Sequence, residues 1–162
     1  MLIKLDMKNA FDRVKLPFLY RVLLSFGLNL ELVNLIKACI ESPWIAPLVN
    51  GRPTDFFQAS RGLRQGRLLS PFLYILMVES LSRKLSIAKE AGFIPGIKIA
   101  MGVDPINHAL FIDDSLLLGG ATVMISRTFN DILHKYCLIL GAQINNNKSV
   151  VFGWNVDHYS II

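Results

Sequence analysis

Three carboxylates sit where the surrounding apolar pattern gives them no ordinary surface role. Asp113 and Asp114 interrupt Ala109-Leu110-Phe111-Ile112 on one side and Leu116-Leu117-Leu118 on the other. Adjacent carboxylates at the tip of a hairpin with buried arms repel each other and lose hydration, so without a cation one of them tends to take up a proton. A divalent metal removes that conflict. Asp6 ends another short strand pattern, and if that strand lies beside the hairpin the three acids converge. Hard oxygen donors of this kind suit Mg²⁺, which binds through one or two carboxylates plus the phosphates of a substrate. The competing reading is a plain polar turn, which aspartate favours, with Asp6 as a strand end or helix cap. Spacing alone leaves both open. No second centre is offered by His108, His134 and His158, which show no ligand spacing with one another or with Cys39 and Cys137, so zinc is excluded.

The elements that must position these acids follow from periodicity and punctuation. Residues 2–6 read as a short strand. Residues 17–26 read as a helix with Leu19, Val22, Leu23 and Phe26 on one face and Gly27 to end it. Asn29 can cap a second helix reaching Ser42, with a stripe of Leu32, Val33, Leu35, Ile36, Cys39 and Ile40. Segments 44–49 and 54–59 flank Asn50-Gly51, a pair that accepts positive φ at both turn positions and so signals a hairpin. Residues 60–67 carry two glycines and three arginines and read as a loop. Ser70-Pro71 is a capping hydroxyl followed by a first-turn proline, opening a helix that Gly92 stops. That helix is apolar nearly all round from Phe72 to Val78 and is expected to be the buried central one. Strands are expected at 97–100, 107–112 and 115–118, a helix at 123–140 closed by Gly141, and a terminal strand at 150–152. The order predicts an α+β sandwich, helices on one face of a largely antiparallel sheet.

Composition narrows the class. The chain has 162 residues, enough for one domain. With 52% hydrophobic and 18% charged residues, it is not a disordered chain. The longest apolar run, Pro71 to Val78, falls far short of the roughly 20 residues a membrane span needs, so no membrane partner is expected. Asp6 stands where a signal peptide needs its apolar stretch, which argues against secretion. The cysteines read as small buried thiols of a reducing compartment. A net charge of +5 is compatible with a polyanionic partner.

Five segments taken in order carry a resemblance. LDMKNAFDRV (5–14), NGRPTDFFQASRGLRQG (50–66), LSPFLYILMVESLS (69–82), INHALFIDD (106–114) and GAQINNNKS (141–149) resemble consecutive blocks of a reverse transcriptase, most nearly the non-LTR (LINE-type) retrotransposon enzyme of plants. The resemblance implies a polymerase palm: a small antiparallel sheet backed by helices, with the acids on its open face. It implies RNA-directed DNA synthesis, with two-metal nucleotidyl transfer of dNTPs onto a primer 3′ end. RNA template, DNA primer and dNTPs are the implied partners, two Mg²⁺ the cofactor with Mn²⁺ as a substitute, and the nucleus the family's usual compartment. Asp6 and Asp113 match the principal metal ligands, Asp114 the third carboxylate, and the Met7 carbonyl a further ligand. Phe11 matches the bulky residue under the sugar; a core aromatic is the alternative. Gln65 and Gly66 match the loop against the incoming nucleotide, where Arg61 and Arg64 could contact phosphates or simply be solvated. Lys148 matches the lysine that protonates pyrophosphate, against a hydrated lysine in the Asn145-Asn146-Asn147 turn. His108 falls in the block before the acids and is expected to hydrogen-bond structurally. The alternatives are a non-catalytic, nucleic-acid-binding remnant, and a different palm-like metalloenzyme such as a nucleotide cyclase. The block 60–66, serving template and nucleotide together, argues against the cyclase.

Departures from the family pattern carry expectations of their own. Arg67-Leu68 stand where Asp-Pro is usual, forfeiting about 0.3–1 kcal/mol of macrodipole contact at the next helix. Ile112 replaces the usual Ala before the acids, and its bulk could press on the primer terminus. The chain begins almost at the first acid, so fingers and thumb are expected to be largely missing or supplied by a partner. On this reading residues 1–152 form a partial palm domain of a retrotransposon reading frame and 153–162 an unrelated tail.

Overall fold

The computed structural model describes residues 1–112 and 114–154. The chain opens with β1 (Leu2–Asp6), in which Leu5 is buried while Lys4 is exposed. Next come α1 (Leu16–Ser25) and α2 (Leu30–Glu41). Proline in its first turn suits α1, since the missing N–H there has no intrahelical partner. Asn29 caps α2 as expected, its side chain accepting the Leu32 N–H at 2.8 Å. Two ribbons follow, β2 (Trp44–Ile45) with β5 (Phe57–Gln58), and β3 (Leu48–Val49) with β4 (Arg52–Pro53). Asn50 and Gly51 turn the inner ribbon at φ 50° and 77°, the sign pattern of a type I′ turn. The strands are two residues each, shorter than the expected arms.

The long helix α3 (Leu69–Glu90) leads to β6 (His108–Phe111) and β7 (Asp114–Leu118), then α4 (Val123–Leu140) and β8 (Val150–Phe152). α4 has the expected bounds because both ends are chemically marked. Thr122 accepts the Ile125 N–H at 3.3 Å, and Gly141 takes the left-handed conformation at φ 82°. The main sheet is antiparallel throughout, in the order β6-β7-β1-β8. Its inner face turns Leu5 and Leu117 into the core with Leu81, Leu85, Phe129 and Leu133, while its other face keeps Lys4 and Asp6 at the surface. The α+β architecture expected from element order is the one observed.

Four expectations need correction. Ser70 does not cap α3: its hydroxyl donates to the Arg64 carbonyl at 2.6 Å, and the helix begins at Leu69, two residues before the expected Pro71. α3 is not buried all round; Leu73, Tyr74 and Met77 are buried, but Phe72 is 67% and Ile75 53% exposed, so one stripe of its apolar stretch faces outward. The strand at 97–100 reduces to a single bridge, Ile97 with Ile106, since Ile99 and Ala100 lie at the surface without a pairing strand. Cys39 is an exposed thiol on α2; Cys137 is half-buried, and burial pushes its pKa up. No helix among the described residues is long and apolar enough to cross a membrane.

Candidate active site

Register decides which acids meet. β1 and β7 pair so that Asp6 stands directly opposite Asp114, at the end of the two strands. Direct cross-strand partners share a face, with Cβ atoms about 4.5–5.5 Å apart. Like charges so placed destabilise the pairing unless a cation lies between or beside them. One does: Lys4, two residues before Asp6 on the same face, brings Nζ to 3.7 Å from Asp114 Oδ1. Asp113 lies outside the described residues; Phe111 and Asp114 are themselves register partners. Ile112, which leaves β6 in a turn, has φ 51°. The sign suits a primed hairpin turn, yet a β-branched residue there is an outlier that costs about 1–3 kcal/mol. The strain sits beside the acids.

The end of β1 is tied down by the segment after α4. Lys8 N–H donates to Gln143 O at 2.8 Å and Asn145 N–H to Asp6 O at 2.9 Å, around a bridge between Met7 and Ile144. This ladder uses the Asp6 carbonyl and the Lys8 N–H, and leaves the Met7 carbonyl out of it. Asp6 N–H donates to Ser149 Oγ at 3.2 Å. Lys148 belongs to the turn in between, its N–H donating to Asn145 O at 3.1 Å, and its side chain is exposed. The lysine block is thus brought beside Asp6. On the far side of the turn after β1, Arg13 Nε donates to Gly141 O at 3.1 Å and Lys15 Nζ to Leu138 O at 2.9 Å. These cations satisfy carbonyls at the C-terminus of α4, where the macrodipole favours positive charge.

Phe11 and the arginine loop are also joined. Leu63 N–H donates to Phe11 O and Gly62 N–H to Val14 O, each at 2.8 Å. Gly62 has φ 91°, and a Cβ there would stand 2.8 Å from the Asp12 carbonyl oxygen, so only glycine permits this approach. The half-buried Phe11 ring stacks on the buried Tyr74 of α3, with centroids 4.7 Å apart. From the same loop Arg61, Gln65 and Gly66 emerge exposed, with Arg64 half-buried. Arg67 turns away: its Nη1 donates to Cys39 O, at the C-terminal end of α2, at 2.6 Å. The contact at the start of α3 that an acid would make is replaced by one at the end of α2.

His108 is held in a chain. Asn107 Nδ2 donates to Leu85 O at 2.7 Å, which leaves Asn107 Oδ1 to accept from His108 Nδ1 at 2.7 Å; His108 Nε2 then accepts from the Ser82 hydroxyl at 2.9 Å. Burial, helped by nearby Lys89 and opposed by Glu79, holds the imidazole below its ordinary pKa. It is a structural pin between α3 and β6.

The structure therefore gathers Asp6, Asp114, Met7 and the Lys148 turn at one end of the sheet, and joins Phe11 to the Arg64-Gln65-Gly66 loop through the backbone. Among the described residues no group of three or more His, Cys, Asp and Glu forms a metal cluster; the described part of the acid site is the pair Asp6 and Asp114. Sequence reasoning missed Lys4, Ser149 and Tyr74. Lys4 was accessible by the two-residue alternation of a strand. The other two contacts, 143 and 63 residues apart in sequence, had no local signal.

Known proteins resemble this chain in sequence and in fold. Residues 1–158 match the family described as reverse transcriptase (RNA-dependent DNA polymerase). An uncharacterized mitochondrial protein of Arabidopsis thaliana is 47% identical over 42% of this chain and 56% of its own. A Pol polyprotein from a type-1 retrotransposable element R2 of Popillia japonica is 30% identical over 91% of this chain and 20% of its own length. The corresponding Drosophila melanogaster type-2 element polyprotein is 28% identical over 92% of this chain and 13% of its own. The chain thus spans about half of the first of these relatives and a fifth or less of the polyproteins. Among solved structures, telomerase from Candida albicans in complex with a telomeric RNA fragment superposes with TM-score 0.72 at 16% identity, covering 96% of this chain and 27% of that one. Apo telomerase from Candida tropicalis gives 0.68 at 19%, covering 97% and 31%. The fold is that of the matched part of these telomerase chains, and the chain belongs to the reverse transcriptase (RNA-dependent DNA polymerase) family.

Proposed function

We propose that this chain is the palm of an RNA-directed DNA polymerase that adds dNTPs to the 3′ end of a DNA primer on an RNA template. The observation that carries the reading is the register of β1 on β7, which sets Asp6 opposite Asp114 at the end of a surface-facing sheet. Two facing carboxylates, with Asp113 adjacent in sequence, form a hard-oxygen donor set that fits Mg²⁺ or Mn²⁺, and the Met7 carbonyl is a further oxygen of the same strand end. Two such ions, when bound, supply charge stabilisation for an in-line displacement at the α-phosphate. The rest is the work of this chain's own groups. Lys148, in the turn bonded to Asp6, gives a proton to the departing pyrophosphate on this reading. Phe11 offers a flat apolar surface to the sugar, and Gln65-Gly66 a backbone edge to the nucleotide. Arg61 and Arg64 supply charge for phosphates.

The test is primer extension on an RNA template by the purified chain with Mg²⁺ or Mn²⁺. Asp6→Asn is expected to lower the rate beyond the roughly 10–100-fold typical of outer-shell partners of a metal site. Thermal stability of that variant stays level or rises, because a facing like charge is removed. Extension retained by Asp6→Asn would sink the proposal. Binding of an RNA–DNA hybrid by wild type, unchanged in EDTA and without any extension, decides instead for a nucleic-acid-binding remnant, the reading favoured by the +5 charge.

A further inference from the structure

One ion pair stands apart from the others. Among the described residues the remaining pairs, Lys37 with Glu41 and Arg83 with Glu79, each lie one turn apart on a single helix. Lys4 with Asp114 alone joins two strands of the sheet, 110 positions apart, and it does so at the carboxylate pair. The register partners of Lys4 are Leu116 on β7 and Val150 on β8. An apolar residue at position 4 would continue that row. Instead a lysine stands there and carries its ammonium to Asp114 at the strand end. Lys4 and Asp114 also line one groove of about 420 Å³ with Ala109, Phe111 and Leu116, so the contact faces a space open to small ions.

We propose that Lys4 is a resident counter-ion of the site: its ammonium holds Asp114 while no divalent cation is bound, and gives it up when one arrives. The inference rests on the metal-site reading above and adds to it a residue that sets metal affinity. Asp114 cannot serve the ammonium and an inner-sphere metal with the same oxygen, so ion binding breaks or weakens this contact. The ammonium lowers metal affinity in return for holding two facing acids together in the metal-free protein. Both partners are about half exposed, at 46% and 48%, so the coupling belongs to the weak, solvent-screened class. The corresponding change in metal affinity is about 2- to 5-fold.

The experiment is a Mn²⁺ titration of the full chain, reading free Mn²⁺ by electron paramagnetic resonance, with thermal melting in excess EDTA. Lys4→Met is expected to bind Mn²⁺ about 2- to 5-fold tighter than wild type, to melt lower in EDTA, and to gain more in Tm when Mn²⁺ is added. Lys4→Gln should do the same and guards against a folding defect peculiar to the apolar replacement. Lys4→Arg, which keeps the charge, should bind no tighter than wild type. Lys135→Met, at an exposed position on α4, measures the effect of losing one positive charge anywhere. Unchanged or weaker Mn²⁺ binding by both neutral variants overturns the proposal, and so does equal tightening by Lys135→Met. A separate failure is recognisable: if Asp114→Asn binds Mn²⁺ as wild type does, the metal-site reading itself is wrong, whatever Lys4 does.

Discussion

A phenyl ring half-buried against a buried tyrosine can serve a core or a substrate, and Phe11 is placed for both. Its ring stacks on Tyr74 at 4.7 Å, and its carbonyl takes the Leu63 N–H that anchors the arginine loop. If its outer edge also lies under the nucleotide sugar, a 2′-hydroxyl meets it by overlap, and overpacking of this kind costs about 1–3 kcal/mol. That is about 5- to 150-fold in kcat/KM against ribonucleotides. Phe11→Ala is therefore expected to raise ribonucleotide use relative to deoxynucleotide use. It also removes a stacked aromatic, and because the ring is only partly buried the loss of stability should fall below the roughly 3–5 kcal/mol of a fully buried Phe→Ala change. The check is the ratio of the two kcat/KM values in wild type and variant, beside their melting temperatures. A lowered Tm with an unchanged ratio assigns Phe11 to the core alone. At this scale the sequence was legible where chemistry was anomalous against its neighbours: carboxylates within apolar runs showed themselves, whereas Lys4 looked like an ordinary exposed lysine and Ser149 like a turn residue. Their roles come from strands paired across more than 100 positions, which no local pattern encodes.

Element boundaries were readable wherever capping chemistry marks them. Asn29 before α2, Thr122 before α4 and Gly141 after it each supply what a helix end lacks, and those helices lie where periodicity puts them. The start of α3 misled because a serine before proline has two uses. Here the Ser70 hydroxyl satisfies the Arg64 carbonyl, and Leu68, 92% exposed, precedes the helix with no side-chain cap. Arg67 explains how the loop survives without the usual acid. Its guanidinium donates to Cys39 O, one of the C-terminal carbonyls of α2 that have no intrahelical partner, and brings a positive charge to that end of the macrodipole. Arg67→Ala should thus destabilise the chain by about 0.5–1 kcal/mol, since the bond is charged but lies at the surface. Arg67→Asp should be no better than alanine. The gain of about 0.3–1 kcal/mol at the start of α3 does no more than offset the loss of favourable charge at the end of α2. Urea unfolding of the three proteins measures this. An Arg67→Asp chain more stable than wild type would show the Cys39 contact to be without weight.

For the molecule as a whole, class and sheet type followed from the order of elements, but strand order did not. β1 lies between β7 and β8, and nothing in the local patterns of residues 2–6, 114–118 and 150–152 chooses that arrangement over its alternatives. The choice is made by packing: Leu5 and Leu117 must both reach the helices, and that condition also sends Asp6 and Asp114 to the outer face. Burial of one face thereby creates the site on the other. Net charge acts at the same scale, and with a surplus of +5 a polyanion binds largely by release of its counterions. Each phosphate neutralised contributes about −0.9 to the slope of log K against log salt on a duplex, and about −0.7 on a single strand. Arg61 and Arg67 lie six positions apart in one loop, both exposed, yet they differ in a way that makes this testable. Arg67 is already committed to Cys39 O, whereas Arg61 emerges beside Gly62, where the loop meets the Phe11 turn. Arg61→Ala is expected to lower the slope by about 1 and weaken binding across sequences, and Arg67→Ala to leave the slope unchanged. The measurement is fluorescence anisotropy of a labelled RNA–DNA hybrid over about 50–200 mM salt, the range in which such contacts are strongly expressed. Performing it in EDTA removes any contribution of divalent ions and isolates the basic loop from the carboxylates. Equal slopes for Arg61→Ala and wild type would place the nucleic acid away from this loop, and the charge that binds it would then have to lie elsewhere on the protein.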